Sequence, residues 1–127
     1  MKRLINSRGR LARVRKIQHN IAAARAAHAA GQVDALETNR NRLASLRAEL
    51  NANAGLTDGA ALARLGELAM RLDAARVGMT HSIESARAIA TAEERMRVDA
   101  RKDQEGAERL HDAARRAAAM ALARRAG

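Results

Sequence analysis

The chain has 127 residues, 24 of them Lys or Arg against 14 Asp or Glu, a net charge of +10, and no Cys, Pro, Phe, Trp or Tyr. Lack of cysteine excludes disulfides and thiolate metal sites, and the predominance of Ala, Leu, Arg and Glu is the composition of a coiled coil rather than of a globular core. No apolar run is long enough for a bilayer span, and although Met1-Lys2-Arg3-Leu4-Ile5 begins like a signal peptide, Asn6, Ser7 and Arg8 break the pattern at once.

Residues 1–16 carry Lys2, Arg3, Arg8, Arg10, Arg13, Arg15 and Lys16 without one acid. Ser7 is a candidate N-cap, so a first helix is predicted over about 7–53. Leu11, Val14, Ile17, Ile21, Ala29, Val33, Leu36, Leu43, Leu46 and Leu50 recur at intervals near multiples of about 3.6 and give one apolar stripe. Arg25, Arg40 and Arg47 fall on or beside it, where their alkyl stems can lie along a seam with the heads in water.

Stop and start signals then fall side by side in Asn51-Ala52-Asn53-Ala54-Gly55-Leu56-Thr57-Asp58-Gly59. Gly55 suits the left-handed residue beyond a helix end, with Leu56 touching Leu50 in a Schellman contact. Thr57 is the expected N-cap of the next helix, and Asp58 puts a negative charge in its first turn. The turn is set at about 54–57 and a second helix at about 58–125. With no proline on either side, each segment can be one helix. The predicted fold is all-α, a single antiparallel two-helix coiled-coil hairpin.

In the second helix Leu65, Leu72, Met79 and Ala86 stand seven apart, as do Ile89, Met96, Asp103, Leu110 and Ala117, so the apolar phase is expected to slip by three residues between Ala86 and Ile89. Such a stammer overwinds a coiled coil locally. Glu67 with Arg71, Glu93 with Arg97 and Glu105 with Arg109 are spaced four apart for surface ion pairs.

With the turn as pivot, residues whose numbers add to about 110 should face each other: Leu50 with Leu62, Leu43 with Leu68, Val33 with Met79, Ile21 with Ile89 and Val14 with Met96. The alanine-rich run from Ala22 to Ala30 would lie against Ser82, Ser85, Ala86 and Ala88, letting the axes approach to the short end of about 8–10 Å. Gly31 and Gly78 would come nearly level and form a soft point, each costing its helix about 1 kcal/mol relative to Ala. Both chain ends would meet at one pole, where residues 1–16 and 109–127 hold 12 basic side chains and the single acid Asp112, a net +11 against −1 for the rest. At about 1.5 Å per residue, that pole would sit roughly 75 Å from the turn.

Nothing in the chain points to catalysis. Of His19, His28, His81 and His111, only His28 and His81, with Glu84, would approach closely enough for zinc-ligand chemistry, and exposed or seam-edge imidazoles are the simpler reading. There is no phosphate-binding glycine loop, and two helices offer no concave site. No enzyme activity, cofactor, metal or small-molecule substrate is expected. The charge segregation reads either as solvated helix surface or as a field that steers an acidic partner.

A short basic start, an amphipathic helix with Leu36, Arg40, Leu43, Leu46 and Leu50, a brief turn at Gly55 and a longer returning helix from Leu62 to Leu122 together resemble the FliJ family of flagellar export proteins and its relatives in injectisome secretion. The resemblance is one of length, register and layout over almost the whole chain. It implies a cytoplasmic coiled coil, peripheral to the inner membrane at the type III export apparatus, similar to the central stalk of rotary ATPases. Family members engage the hexameric export ATPase, promote its assembly and turnover, and contact the export gate and substrate chaperones. On that reading Arg8, Arg10, Arg13, Arg15, Arg115 and Arg116 would meet carboxylates of the ATPase ring, and Leu36, Arg40, Leu43, Leu65 and Leu68 would face the gate or chaperones.

Three other readings compete. Twelve clustered cations could neutralise phosphates of nucleic acid, although base stacking would lack aromatic residues and no binding motif is present. A basic surface could lie on anionic membrane, but the terminal segments have little large apolar content to bury. The chain could also be an unrelated coiled-coil adaptor.

Overall fold

The computed structural model describes residues 1–53 and 58–127. Two helices, α1 (Lys2–Asn53) and α2 (Gly59–Ala126), pack against each other as an all-α hairpin, and no strand occurs among the described residues. No helix among those residues is long and apolar enough to cross a membrane.

Both helix starts differ from expectation. α1 begins at Lys2, with the Ile5 amide donating to the Met1 carbonyl at 3.1 Å, so Ser7 lies inside the helix and caps nothing. Lys, Arg and Leu are good helix formers, and they carry the first turn without a side-chain cap. For α2 the expected first-turn charge, Asp58, acts as a cap. Its Oδ1 accepts the Ala61 amide at 2.8 Å while its carbonyl accepts the Leu62 amide at 2.9 Å. A carboxylate at this position combines the capping bond with a charge that the helix dipole favours. The roles assigned to Gly55, Leu56 and Thr57 lie outside the described residues.

Contacts divide the chain into two compact units: a terminal unit, Met1–Ala27 with Thr91–Gly127, and a turn unit, His28–Ala90. In the turn unit the residues withdrawn from solvent include Val33, Leu36, Leu43 and Leu50 of α1 and Leu65, Leu72, Met79 and Ile83 of α2. Ile83, 1% exposed, is the one large side chain fully buried among the described residues. In the terminal unit the corresponding positions are small or polar: Gly9, Ala12, Arg15, His19, Ala22 and Ala26 on α1, and Ala100, Gln104, Ala107, His111, Ala114 and Ala118 on α2.

This pattern corrects the expected stammer. The seven-residue series Leu65, Leu72, Met79, Ala86 continues without slip through Glu93, Ala100, Ala107, Ala114 and Ala121, all buried or half-buried. Ile89 and Met96, which the slipped phase would have buried, are 56% and 53% exposed. Leu11, Val14, Ile17 and Ile21 likewise lie outside the seam of α1. Period decides here over size. A strict 3.5-residue repeat keeps one seam facing the partner helix whatever the size of the residues that occupy it.

Register differs too. Arg8 meets Leu110, Gly9 lies beside His111 and Arg15 pairs with Asp103 in the terminal unit; Arg47 pairs with Asp73 and Glu37 with Arg87 in the turn unit. Paired numbers thus add to between 118 and 124, where the sequence suggested about 110. The cross-helix pairs measure 3.7 Å for Arg15–Asp103, 3.3 Å for Arg47–Asp73 and 2.6 Å for Arg87–Glu37. Each is partly solvated and worth at most about 1 kcal/mol, so they select register more than they add stability. Along single helices Glu67–Arg71 and Glu105–Arg109 form as expected, whereas Arg97 takes Glu94 in place of Glu93.

Urea denaturation followed by circular dichroism separates the two seams. Ile83→Ala should cost about 3 kcal/mol and Ile89→Ala less than about 0.5 kcal/mol. Equal losses would restore the slipped phase. A Cβ on Gly31 or Gly78 meets nothing within 4 Å, so alanine there should stabilise by about 1 kcal/mol each. At Gly9 the new Cβ would stand 3.1 Å from His111 Cε1, so Gly9→Ala should fall short of that gain and recover it when combined with His111→Ala.

Candidate functional site: a basic surface on the terminal unit

Charge divides between the units as sharply as side-chain size does. The terminal unit has 17 basic and 7 acidic residues, the turn unit 7 of each, so the whole net +10 belongs to the terminal unit. Three of its seven carboxylates are engaged in ion pairs: Asp103 with Arg15, Glu94 with Arg97, and Glu105 with Arg101 at 3.1 Å and Arg109 at 4.0 Å. The surplus cations project into water.

The six arginines singled out for a ring partner fall into two groups. Arg8 and Arg15 are half-buried and cross between helices: Arg8 Nη1 donates to the Leu110 carbonyl at 3.0 Å, and Arg15 reaches both Asp103 and, at 3.1 Å, Gln18 Oε1. Arg10, Arg13, Arg115 and Arg116 are exposed, and none forms an ion pair among the described residues. Arg10 and Arg13 border a shallow groove with Ile5, Asn6, Gly9 and His111. Arg115 and Arg116 border another with Asp112 and Ala119. Four guanidiniums are therefore free to meet carboxylates or phosphates, while two hold the helices together.

The five residues suggested for a gate or chaperone lie in the turn unit and do not share one outer surface. Leu36, Arg40, Leu43 and Leu65 are half-buried along the seam, and Leu68 alone turns outward, 45% exposed. Arg40 also borders a groove with Asp73, Arg76, Val77 and Thr80.

Ionisable groups inside the terminal unit make no ligand cluster. His19 Nε2, Glu93 Oε2 and His111 Nδ1 are enclosed without a hydrogen-bond partner. Among the described residues no three His, Cys, Asp or Glu side chains converge as a metal site would require, and His28 Nε2 lies 3.1 Å from Gln32 Nε2 on its own helix. What reading by size missed is the outward position of Leu11, Val14 and Ile21. The alternation of small and polar residues at Arg8, Ala12, Arg15, His19, Ala22 and Ala26, spaced four and three by turns, was the available signal.

No protein-family model, no curated protein and no solved structure matches the chain.

One carboxylate on this surface titrates abnormally. Hydrogen bonding from Arg97, with its charge adding to the effect, holds Glu94 below the usual carboxylate range, and Glu94 in turn raises Arg97. A carboxylate lowered by folding adds stability above its unfolded pKa and loses it as pH falls through the folded value. The Glu94 carboxyl resonance should accordingly show a titration midpoint below that of an unpaired glutamate, and Arg97→Gln should return it to the ordinary range. An unchanged midpoint in that variant would dissociate the shift from the pair.

Proposed function

We propose that this protein is a non-enzymatic, stalk-like coiled coil of a flagellar type III export apparatus, cytoplasmic and peripheral to the inner membrane, whose terminal unit binds and regulates the hexameric export ATPase. The observation that carries the reading is the confinement of the entire +10 to the unit that holds both chain ends, with Arg10, Arg13, Arg115 and Arg116 left without carboxylates of their own. Such a field steers association with an acidic surface. The layout of basic start, amphipathic helix, short turn and longer returning helix supports the choice of partner by its resemblance to the FliJ family.

The stalk would act without chemistry of its own. A hairpin has no rotational symmetry matching a six-fold ring, so it contacts the subunits unequally. Differential affinity for one subunit conformation shifts the ring's equilibrium and hence its turnover. The charge-balanced turn unit remains for the export gate and chaperones, with Leu68 outward as Leu46 and Leu62 are.

The same free cations favour a second reading, sequence-independent binding of nucleic acid through phosphates. One experiment separates them: turnover of a purified hexameric export ATPase is measured with the wild-type chain and with Arg10, Arg13, Arg115 and Arg116 all changed to Glu. Stimulation should fall at least tenfold while helicity is unchanged. Intact stimulation would refute the contact. No stimulation by the wild-type chain, together with duplex DNA binding that weakens steeply with salt, would move the assignment to the phosphate reading.

A further inference from the structure

Large apolar side chains cover one flank of the terminal unit instead of its seam. Leu4, Leu11, Val14 and Ile21 of α1 are between 40% and 49% exposed. Leu4 and Leu11 lie four residues before and three after Arg8, so the three side chains form one ridge of α1. Arg8 reaches the Leu110 carbonyl and Arg15 reaches Asp103, which sets the seven-spaced α2 line Leu110, Asp103, Met96 along the same flank. Leu110 and Met96 are also about half exposed. Scattered exposed leucines are ordinary, but a contiguous patch rimmed by charge marks an interaction surface.

The rim is charged and mainly basic, with Asp99 among the cations of α2 and Asp103 taken up by Arg15. Beyond Leu110, the small residues Gly106 and Ala113 lead to Arg95, Lys102, Arg109 and Arg116, which repeat every seven residues along α2. Of these four only Arg109 forms an ion pair among the described residues, with Glu105 at 4.0 Å. On α1, Arg3 and Arg10 repeat at the same interval as Ile17 and close the other side. Inside the unit, meanwhile, His19, Glu93 and His111 each enclose an unpartnered polar atom. Polar groups in the seam and leucines on the flank leave apolar area that only a partner can bury.

We propose that this flank docks an acidic amphipathic helix from another protein, its apolar stripe laid along Leu11, Val14, Ile21, Met96 and Leu110 and its carboxylates meeting the basic rows on either side. Charge decides the occupant. A second copy joined through this flank would bring one +10 unit against another, whereas an acidic helix satisfies the stripe and the rim together. The inference stands on the flank alone and does not depend on the export reading.

The test is fluorescence anisotropy with the full chain and a labelled four-heptad peptide bearing Leu at a and d and Glu elsewhere, in about 0.15 M salt. A permuted peptide of identical composition without a stripe is the control. The striped peptide should bind at least tenfold more tightly than the permuted one, and Leu11→Ser with Ile21→Ser should remove that advantage. Lys102→Glu with Arg116→Glu should weaken both peptides. Equal binding of the two peptides would reduce the flank to plain charge, and an unchanged double-serine variant would place the contact elsewhere. Sedimentation showing copies that associate and are dispersed by the double-serine variant would assign the flank to self-association. Should that variant lose helicity, Met96→Ser with Leu110→Ser reads the same flank from α2.

Discussion

Gly9, Ala12, Ala22 and Ala26 on α1, and Ala100, Ala107, Ala114 and Ala118 on α2, let the terminal unit close around small side chains. Close approach replaces side-chain area by contact between backbones and methyl groups, many weak dispersion contacts in place of a few large ones. Larger residues that do turn inward include His19, Glu93, Gln104 and His111, all polar. Arg8 and Arg15 escape by crossing to the other helix, and the large apolar residues are displaced to a flank. In the turn unit, where Val33, Leu36, Leu43, Leu72, Met79 and Ile83 hold the equivalent positions, the seam is filled by side chains of ordinary core size.

Electrostatics reinforces that contrast. The turn unit balances its charges and stitches α1 to α2 with Arg47–Asp73 and Arg87–Glu37. The terminal unit spends one carboxylate across the helices, Asp103, and its other ion pairs run along α2. Excess cations repel one another and oppose compaction, while the enclosed polar atoms of His19, Glu93 and His111 add desolvation that nothing repays within the chain. Anything acidic that binds the folded unit therefore stabilises it in proportion to its affinity.

Much of the fold was legible in the sequence, for physical reasons that also explain the failures. Absence of proline licensed two long helices, and both formed. Charge counts located the basic surface without any knowledge of packing. The seam was misplaced because Leu11, Val14, Ile21, Ile89 and Met96 were ranked by size, which assumes that the largest residues face inward. That assumption holds when each helix has one partner and one apolar face. Here α1 has two faces, one small and one large, and only the unbroken alternation of three and four residues tells which belongs to the hairpin. The register error followed directly, since pairing large with large fixed the wrong offset. Asp58, expected only as a charge in the first turn, also caps it: its type caps well, and a carboxylate adds the dipole interaction.

The two surfaces of the terminal unit make separable demands on a partner. Free guanidiniums at Arg10, Arg13 and Arg115 act as point sources of charge and tolerate many arrangements of carboxylates, so their contribution falls with salt and changes little with the partner's shape. The flank of Leu11, Val14 and Ile21 rewards only a partner whose apolar residues repeat at helical spacing, and burial of apolar area does not weaken with ionic strength. A partner with acidic residues but no stripe would gain from the first surface alone. In the proposed docking, specificity thus belongs to the displaced apolar residues, whose place outside the seam follows from the small and polar residues within it.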